Sequence, residues 1–247
     1  MNSLIKKNLI GILVDGFDRF AATDMVMEAA HQHRSLAVSA IAVHGVMTGV
    51  LDREHRYRLN HLDLIVADGQ PVRWALNLLH AVGLRYRVYG PNLTVEVLTR
   101  AAPEKVPVYF YGSTQAVLDH LCVRLRERFP EIRIAARIKH SGARIVFVGL
   151  GCPRQEVWAY EFRDRLKVPI VAVGAAFPFL AGTLRMAPQW MQDRGLEWLF
   201  RLVTEPRRLW RRYLLLSPAY IVLVLCQWLG LRFKTEGKPP ESEILYG

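Results

Sequence analysis

ARIVFVGLGCPRQEVW, residues 143–158, runs from an apolar segment through a glycine-containing turn into a segment with helical spacing. A short uncharged run rich in Val and Ile that ends in such a turn is typical of a strand buried on both faces of a parallel sheet. Similar runs recur, and they predict strands at residues 9–14, 36–43, 64–66, 108–111, 144–148 and 170–173. Helical patterns lie between them, at residues 21–31, 71–80, 115–128, 154–166 and 189–203. The alternation predicts an α/β fold, with a mostly parallel sheet and helices on both faces.

Turns that contain Asp or Gly follow several of the predicted strands, at the end where open α/β sheets bind ligands. They are Asp15 with Gly16, Asp68 with Gly69, Gly112 with Ser113, Gly149 with Gly151, and Gly174. Gly149 and Gly151 begin a GxGxxG pattern, but Arg154 stands at its third glycine, which argues against a dinucleotide cofactor. Asp68 directly follows an apolar run, so it fits two interpretations, a turn or cap residue and a general base.

Positive charge is concentrated near the C-terminal end. The 247-residue chain carries 33 Lys and Arg against 22 Asp and Glu, a net charge of +11, which suits phosphates, nucleic acid or an anionic membrane. Six arginines lie within residues 194–212, and residues 213–231 follow without a charge. A basic segment that continues into an apolar one favours a membrane surface over nucleic acid. As a helix the uncharged segment is about 28 Å long, enough either to span a bilayer or to lie in its plane.

Three of these arginines have helical spacing. Arg201, Arg208 and Arg211 are seven and three residues apart, which places them on one stripe if the helix continues past Pro206. A solvated helix face is one interpretation of that stripe. The other is a diphosphate site, because guanidinium groups bind phosphate oxygens through paired hydrogen bonds.

The cysteines and acidic residues show no metal or disulfide pattern. Cys122, Cys152 and Cys226 form neither a CxxC pair nor a ligand grouping, which favours a reduced, cytoplasmic compartment. The chain has no DxD motif, so the sequence predicts no bound metal. Asp15 interrupts the short apolar stretch near the N-terminus, which favours a buried strand over a signal peptide.

Four further segments are specific enough to suggest a family. They read ADGQPVRWAL at 67–76, RVYGPNL at 87–93, VGAAFPFLAGTLRMAPQWM at 173–191 and GLEWLFRLVTEPRRLWRRYL at 195–214. Together with residues 143–158 they resemble, in order along the chain, the WecG/TagA/CpsF family of bacterial glycosyltransferases, glycosyltransferase family 26. The resemblance implies a Rossmann-like core in residues 1–190, a helical membrane-associating appendage in 191–233 and a flexible tail in 234–247.

The resemblance also implies a reaction. The resemblance implies that the protein transfers a sugar from a UDP-sugar to an undecaprenyl-diphosphate-linked acceptor, with inversion and without a metal or cofactor. It also implies that the reaction takes place at the cytoplasmic face of the inner membrane and that the protein can form homo-oligomers. Asp68 matches the family's proposed catalytic base. Substrate-binding positions are expected at His44, Arg87, Gly149, Gly151, Gln155, Arg201, Arg208 and Arg211. The motif sequences are most similar to those of family members that act in exopolysaccharide synthesis, which favours a glucose-type donor over ManNAc or GlcA types.

The chain departs from the family pattern at several places. Ala42 stands where relatives have Asn, and Asn92 and Pro178 stand where they have Asp. Relatives also carry about twenty further residues between a strand expected at 132–135 and a helix remnant expected at 136–140, and loops of that length are often functional. A second hypothesis is therefore a weakened or inactive homologue that binds a nucleotide sugar or a lipid-linked sugar at the membrane. A nucleic-acid-binding protein is disfavoured, because the sequence has no RNP, helix-turn-helix or zinc-finger pattern.

Overall fold

The computed structural model describes residues 6–136 and 142–244, and this part of the chain contains seven strands. They are β1 (Lys7–Leu9), β2 (Ile12–Val14), β3 (Leu36–Ile41), β4 (Leu64–Ala67), β5 (Val108–Tyr111), β6 (Ile145–Val148) and β7 (Pro169–Ala172). The last five form one sheet in the order β4-β3-β7-β6-β5, and each neighbouring pair is parallel. The predicted parallel sheet is therefore confirmed, with strand ends that differ from the prediction by one or two residues.

Helices cover both faces of this sheet. They are α1 (Arg19–His31), α2 (Val43–Leu51), α3 (Arg53–Asn60), α4 (Gln70–His80), α5 (Gly90–Ala101), α6 (Gln115–Arg128), α7 (Arg154–Leu166), α8 (Ala176–Leu180), α9 (Gln189–Asp193), α10 (Glu197–Thr204), α11 (Pro206–Arg211) and α12 (Ser217–Trp228), with a π-helical turn, Arg212–Leu216, before α12. Apolar side chains of α1, α5, α6 and α8 form the core on one face, and those of α2, α3, α4, α7 and α12 form it on the other. The α/β class is confirmed, although α2, α3, α5, α8 and α11 lie outside the predicted helices.

The prediction of one strand at residues 9–14 is wrong. The segment turns at Ile10 and Gly11, which both have positive φ, so β1 and β2 form a separate antiparallel hairpin. Asp15 then binds the free edge of β4, because its N–H donates to the Ile65 carbonyl at 2.7 Å and its Oδ2 accepts from the Ile65 N–H at 2.8 Å. Asp15 is thus a buried structural residue, and the first strand lies outside the parallel sheet.

The predicted helix at residues 189–203 is divided in two. Gly195 has a φ of +72°, and a Cβ at that position would lie 2.6 Å from the Trp74 ring, so only glycine fits there. A second break comes at Glu205, whose φ of −134° and ψ of 54° end α10 one residue before Pro206. The condition for one continuous arginine stripe is therefore not met.

The segment at 132–140 contains little regular structure where it is described. Ile134 makes a single parallel bridge to Val108, in place of the strand expected at 132–135. The helix remnant expected at 136–140 falls mostly on residues 137–141, which lie outside the described residues.

The C-terminal helix packs on the body of the protein. Tyr220 and Val224 are buried among side chains of α2 and α4, and Gln227 accepts a hydrogen bond from the Ile10 N–H at 2.7 Å and donates one to the Asn8 carbonyl at 2.8 Å. The segment after α12 runs along α3, where the Lys238 N–H donates to the Arg53 carbonyl at 2.9 Å. The flexibility of the tail at residues 234–247 stays a prediction.

Candidate active site

The site lies at the carboxyl edge of the parallel sheet, where the loops after β3, β4, β6 and β7 meet. Asp68 directly follows β4, and its N–H donates to the Ile41 carbonyl at the end of β3 at 2.9 Å. Gly90 begins α5 so close to the end of β7 that a Cβ on it would lie 2.7 Å from the Val173 carbonyl oxygen. This approach brings the Gly90 N–H to the Asp68 carboxylate, which accepts a hydrogen bond from it. Backbone packing therefore positions the carboxylate.

The Asp68 carboxyl is an unusually weak acid. Its pKa is raised from the ordinary 3.8 to about 7: burial is the main cause and the charge of Glu197 adds to it, whereas the charges of Arg87 and Arg201 and the Gly90 hydrogen bond partly oppose the rise. A carboxylate with a pKa near neutrality suits proton transfer at physiological pH, because it is both ionised in a large fraction of molecules and basic enough to accept a proton. This environment is compatible with a general base, and that role of Asp68 stays a prediction.

An ion pair joins the core to the appendage beside Asp68. Arg87 Nη2 lies 2.5 Å from Glu197 Oε2 on α10, and its guanidinium lies 4.1 Å above the Tyr89 ring. The Tyr89 hydroxyl donates to Glu197 Oε1 at 3.0 Å, and Arg87 Nη2 also donates to Gln192 Oε1 at 3.3 Å. Glu197 therefore fixes Arg87 and Tyr89 around the candidate base. The sequence analysis did not single out Glu197.

Gln155 holds the loop after β7 in place. Its Oε1 accepts a hydrogen bond from the Gly174 N–H at 2.9 Å, and its Nε2 donates to Glu156 Oε1 at 2.7 Å. With a side chain that is only 2% exposed, it is a positioning residue for this loop. Contact between Gln155 and a substrate stays a prediction.

A cleft opens at the ends of β5 and β6. It has a volume of about 490 Å³, and its lining includes Tyr111, Gly112, Ser113, Leu150 and Arg154. Gly149 precedes Leu150 in the turn after β6, and a Cβ on it would lie 2.6 Å from the Phe177 ring. Gly151 has a φ of +78°, which L side chains rarely adopt. The two glycines thus shape the turn beside this cleft, and their contact with a donor stays a prediction.

The three predicted arginines do not share one environment. Arg201 lies close enough to Asp68 for their charges to interact, and its Nε is buried without a hydrogen-bond partner among residues 6–136 and 142–244. Its Nη2 lies 3.6 Å from Glu205, which also pairs with the more exposed Arg208. Arg211 packs over the Trp210 ring, with 5.2 Å between its guanidinium carbon and the ring centre. Of the three, Arg201 is the one that the structure brings to the candidate base.

Arg212 was not predicted as a site residue, yet its charge acts on both His44 and Cys152. Arg212 lies four residues after Arg208, and Arg211 lies three residues after it. Both spacings place two side chains on the same face of a helix, so the sequence contained a signal for Arg212 as well. His44 stands in the first turn of α2 with a buried Nδ1. Burial, followed by the charges of Arg212 and His55, lowers the pKa of His44 to about 4, so its imidazole is neutral at physiological pH.

Comparison with known proteins agrees with this geometry. The profile of the "Glycosyl transferase WecG/TagA/CpsF family" matches residues 7–234. A relative from Bacillus spizizenii (strain W23), named N-acetylglucosaminyldiphosphoundecaprenol N-acetyl-beta-D-mannosaminyltransferase, is 32% identical over 182 residues, which cover 68% of this chain and 70% of the relative. A protein of the same name from Bacillus subtilis (strain 168) is 27% identical over 203 residues, which cover 76% of this chain and 78% of that protein. With a parallel α/β core, a carboxyl at the sheet edge and a match over most of its length, the chain belongs to the WecG/TagA/CpsF family of glycosyltransferases.

Proposed function

We propose that the protein transfers a sugar from a UDP-sugar to an acceptor sugar on undecaprenyl diphosphate, with inversion at the anomeric carbon. The observation that carries this proposal is Asp68, a carboxyl with a pKa of about 7 at the carboxyl edge of the sheet, beside cationic side chains from both the core and the appendage. Both relatives are named for transfer to an N-acetylglucosaminyl-diphosphoundecaprenol, so that lipid is the proposed acceptor. Their names favour N-acetylmannosamine as the transferred sugar over the glucose-type donor that the motif wording suggested.

In the proposed mechanism Asp68 takes the proton of the acceptor hydroxyl. As that proton leaves, the oxygen attacks the anomeric carbon from the face opposite the UDP group, and the bond to the diphosphate breaks. The diphosphate gains negative charge as it departs, and positioned cations stabilise such charge in the transition state. Arg201 is the proposed cation for this charge, because its Nε is buried near Asp68 and has no hydrogen-bond partner in the described part of the chain.

The cleft at β5 and β6 is the proposed place for the nucleotide. Its rim contains Ser113 and Arg154, and Tyr111 contributes an aromatic side chain. A hydroxyl, a guanidinium and a ring are the groups that a uridine diphosphate needs for hydrogen bonding, charge pairing and stacking. The turn that contains Gly149 and Gly151 follows β6, which lies between β5 and β7 in the sheet, whereas Asp68 follows β4 at the opposite edge.

We also propose that the C-terminal helices hold the protein at the membrane surface. By length and composition alone, Pro206–Trp228 is one helical run that could cross a membrane, and most of it is exposed. Arg207, Arg208 and Arg211 are exposed near its beginning. The other large exposed side chains are apolar, namely Trp210, Leu214, Leu215, Ile221, Val222, Leu225 and Trp228. The opposite side packs on α2 and α4 through Tyr220 and Val224. A helix with one side on the protein and the other apolar favours an orientation in the plane of the membrane.

The test uses the purified full chain in mild detergent with a short-chain N-acetylglucosaminyl-diphospholipid. UDP-ManNAc, UDP-glucose and UDP-GlcA are supplied separately, and UDP release and product mass are measured. We expect release with one of these donors only when the acceptor is present, and a loss of about 10²–10⁴-fold in Asp68→Asn. Asp119→Asn, which removes an exposed acid on α6, is the matched control and is expected to keep full activity.

The second hypothesis, a homologue that binds without turnover, follows from the departures at Ala42, Asn92 and Pro178. It predicts measurable binding of a UDP-sugar or of the lipid acceptor with no UDP release for any donor. Near-normal turnover in Asp68→Asn would instead exclude Asp68 as the base.

A further inference from the structure

Next to the candidate site, three side chains that can bind a metal come together from separate elements. His55 lies on α3, Cys152 lies in the turn after β6, and Glu156 lies in the first turn of α7. One imidazole nitrogen, the cysteine sulfur and one carboxylate oxygen all lie within 4.8 Å of one another. The sequence did not suggest this cluster, because its members follow no local ligand spacing and only the fold brings α3 against α7.

The buried polar atoms of this cluster are incompletely paired. His55 is 2% exposed, and neither of its ring nitrogens has a hydrogen-bond partner in the described ranges. Glu156 is 1% exposed; its Oε1 accepts hydrogen bonds from Ser39 at 3.1 Å and from Gln155 at 2.7 Å, whereas its Oε2 has no partner among the residues described. Buried polar atoms of folded proteins are nearly always paired, so orphaned ligand atoms at one place indicate a missing partner.

We propose that His55, Cys152 and Glu156 bind a Zn²⁺ ion. A nitrogen, a sulfur and an oxygen are all donors that Zn²⁺ accepts in tetrahedral sites. The thiolate and the carboxylate cancel the charge of the ion, as burial requires. A water molecule can take the fourth position.

The role of this ion is structural. It connects α3 to the turn after β6 and to the first turn of α7, which also contains Gln155, the residue that holds the Gly174 loop. The proposal does not depend on the transfer reaction, and Zn²⁺ takes no part in the proposed chemistry at Asp68.

The experiment measures metal content and stability on the tag-free full chain in detergent. After exposure to Zn²⁺ and gel filtration, elemental analysis is expected to give about one Zn²⁺ per chain for the wild type and for Cys122→Ser, a matched cysteine control on α6. Cys152→Ser and His55→Gln are expected to lose the ion. With free Zn²⁺ at 100 times its Kd, the ratio of folded to unfolded protein rises about 100-fold, which raises the melting temperature by roughly 5–10 °C relative to chelator-treated protein.

Cobalt gives an independent test that needs no variant. Co²⁺ bound to the wild-type protein is expected to show a thiolate-to-metal charge-transfer band, because Cys152 is a ligand. Absence of that band, zinc retained equally by Cys152→Ser, or the same melting temperature with Zn²⁺ and with chelator would each overturn the proposal and leave an ordinary buried polar cluster.

Discussion

Asp68→Asn is expected to inactivate the protein and, at the same time, to stabilise it at alkaline pH. Burial raises the pKa of this carboxyl from 3.8 to about 7, so the folded state holds the proton more tightly than the unfolded chain does. For an acid with a raised pKa, stability is lost as pH rises from the unfolded value through the folded value. Asn carries no charge and keeps an oxygen that can accept the Gly90 N–H, so the variant escapes this loss.

The size of the effect follows from the two pKa values. A shift of about three pH units corresponds to about 4 kcal/mol at pH 8, and for a chain of this size that would raise the melting temperature by about 8–16 °C. Because Asp68 is partly reached by solvent, this is an upper limit, and a rise of several degrees is expected. At pH 5 the same relation gives about 2 kcal/mol or less, so the advantage of the variant shrinks on acidification.

The assay compares thermal unfolding of the wild type, Asp68→Asn and the control Asp119→Asn at pH 5 and pH 8. The control removes a carboxyl on the exposed side of α6 and is expected to change the melting temperature little at either pH. If Asp68→Asn melts at or below the wild-type temperature at pH 8, or if its advantage grows at pH 5, the inferred environment of Asp68 is wrong.

Three further perturbations test the site and its surroundings. Glu197→Gln removes a charge that raises the pKa of Asp68. In the pH profile of kcat/KM, the midpoint of the acid limb is expected near pH 7 for the wild type and at lower pH for the variant. An unchanged or higher midpoint would contradict the role of Glu197. Arg201→Gln is expected to lower kcat by about 10²-fold in the UDP-release assay while the fold, followed by circular dichroism, is retained, and a normal kcat would remove Arg201 from the mechanism. Trp228→Glu on the outer face of α12 is expected to weaken binding to anionic vesicles about tenfold or more in a flotation assay. Val123→Glu on α6, where the side chain is about as exposed as that of Trp228, is expected to leave vesicle binding unchanged.

The sequence predicts the sheet well because its strands are buried on both faces. Runs such as Ile145–Val148 contain only large apolar residues, and no other element of this length and composition is common in α/β proteins. The same rule failed at residues 9–14, where every residue except Gly11 is a large apolar one and the turn depends on the backbone angles of Ile10 and Gly11. Local composition does not distinguish a strand from a tight hairpin of this kind.

The candidate site was less predictable because its chemistry depends on distant contacts. Asp68 could be selected from its place after a strand, but its pKa depends on burial and on charges from Arg87 and α10. Glu197 lies 110 residues from its partner Arg87 in sequence, so no spacing rule connects the two. The break at Glu205 also had a signal, Pro206, which is why the arginine stripe was predicted only if the helix continued past it.

The contact of Glu197 and Arg201 with the candidate base has a consequence for how this architecture can vary. Both residues belong to α10, whereas Asp68 and Arg87 belong to the segment that carries the sheet. The pKa of the candidate base therefore depends on charges from two regions of the chain that look separable in the sequence. Core and appendage are not interchangeable modules, because an appendage taken from another protein would bring its own charges to Asp68 and reset the pH range in which the enzyme works.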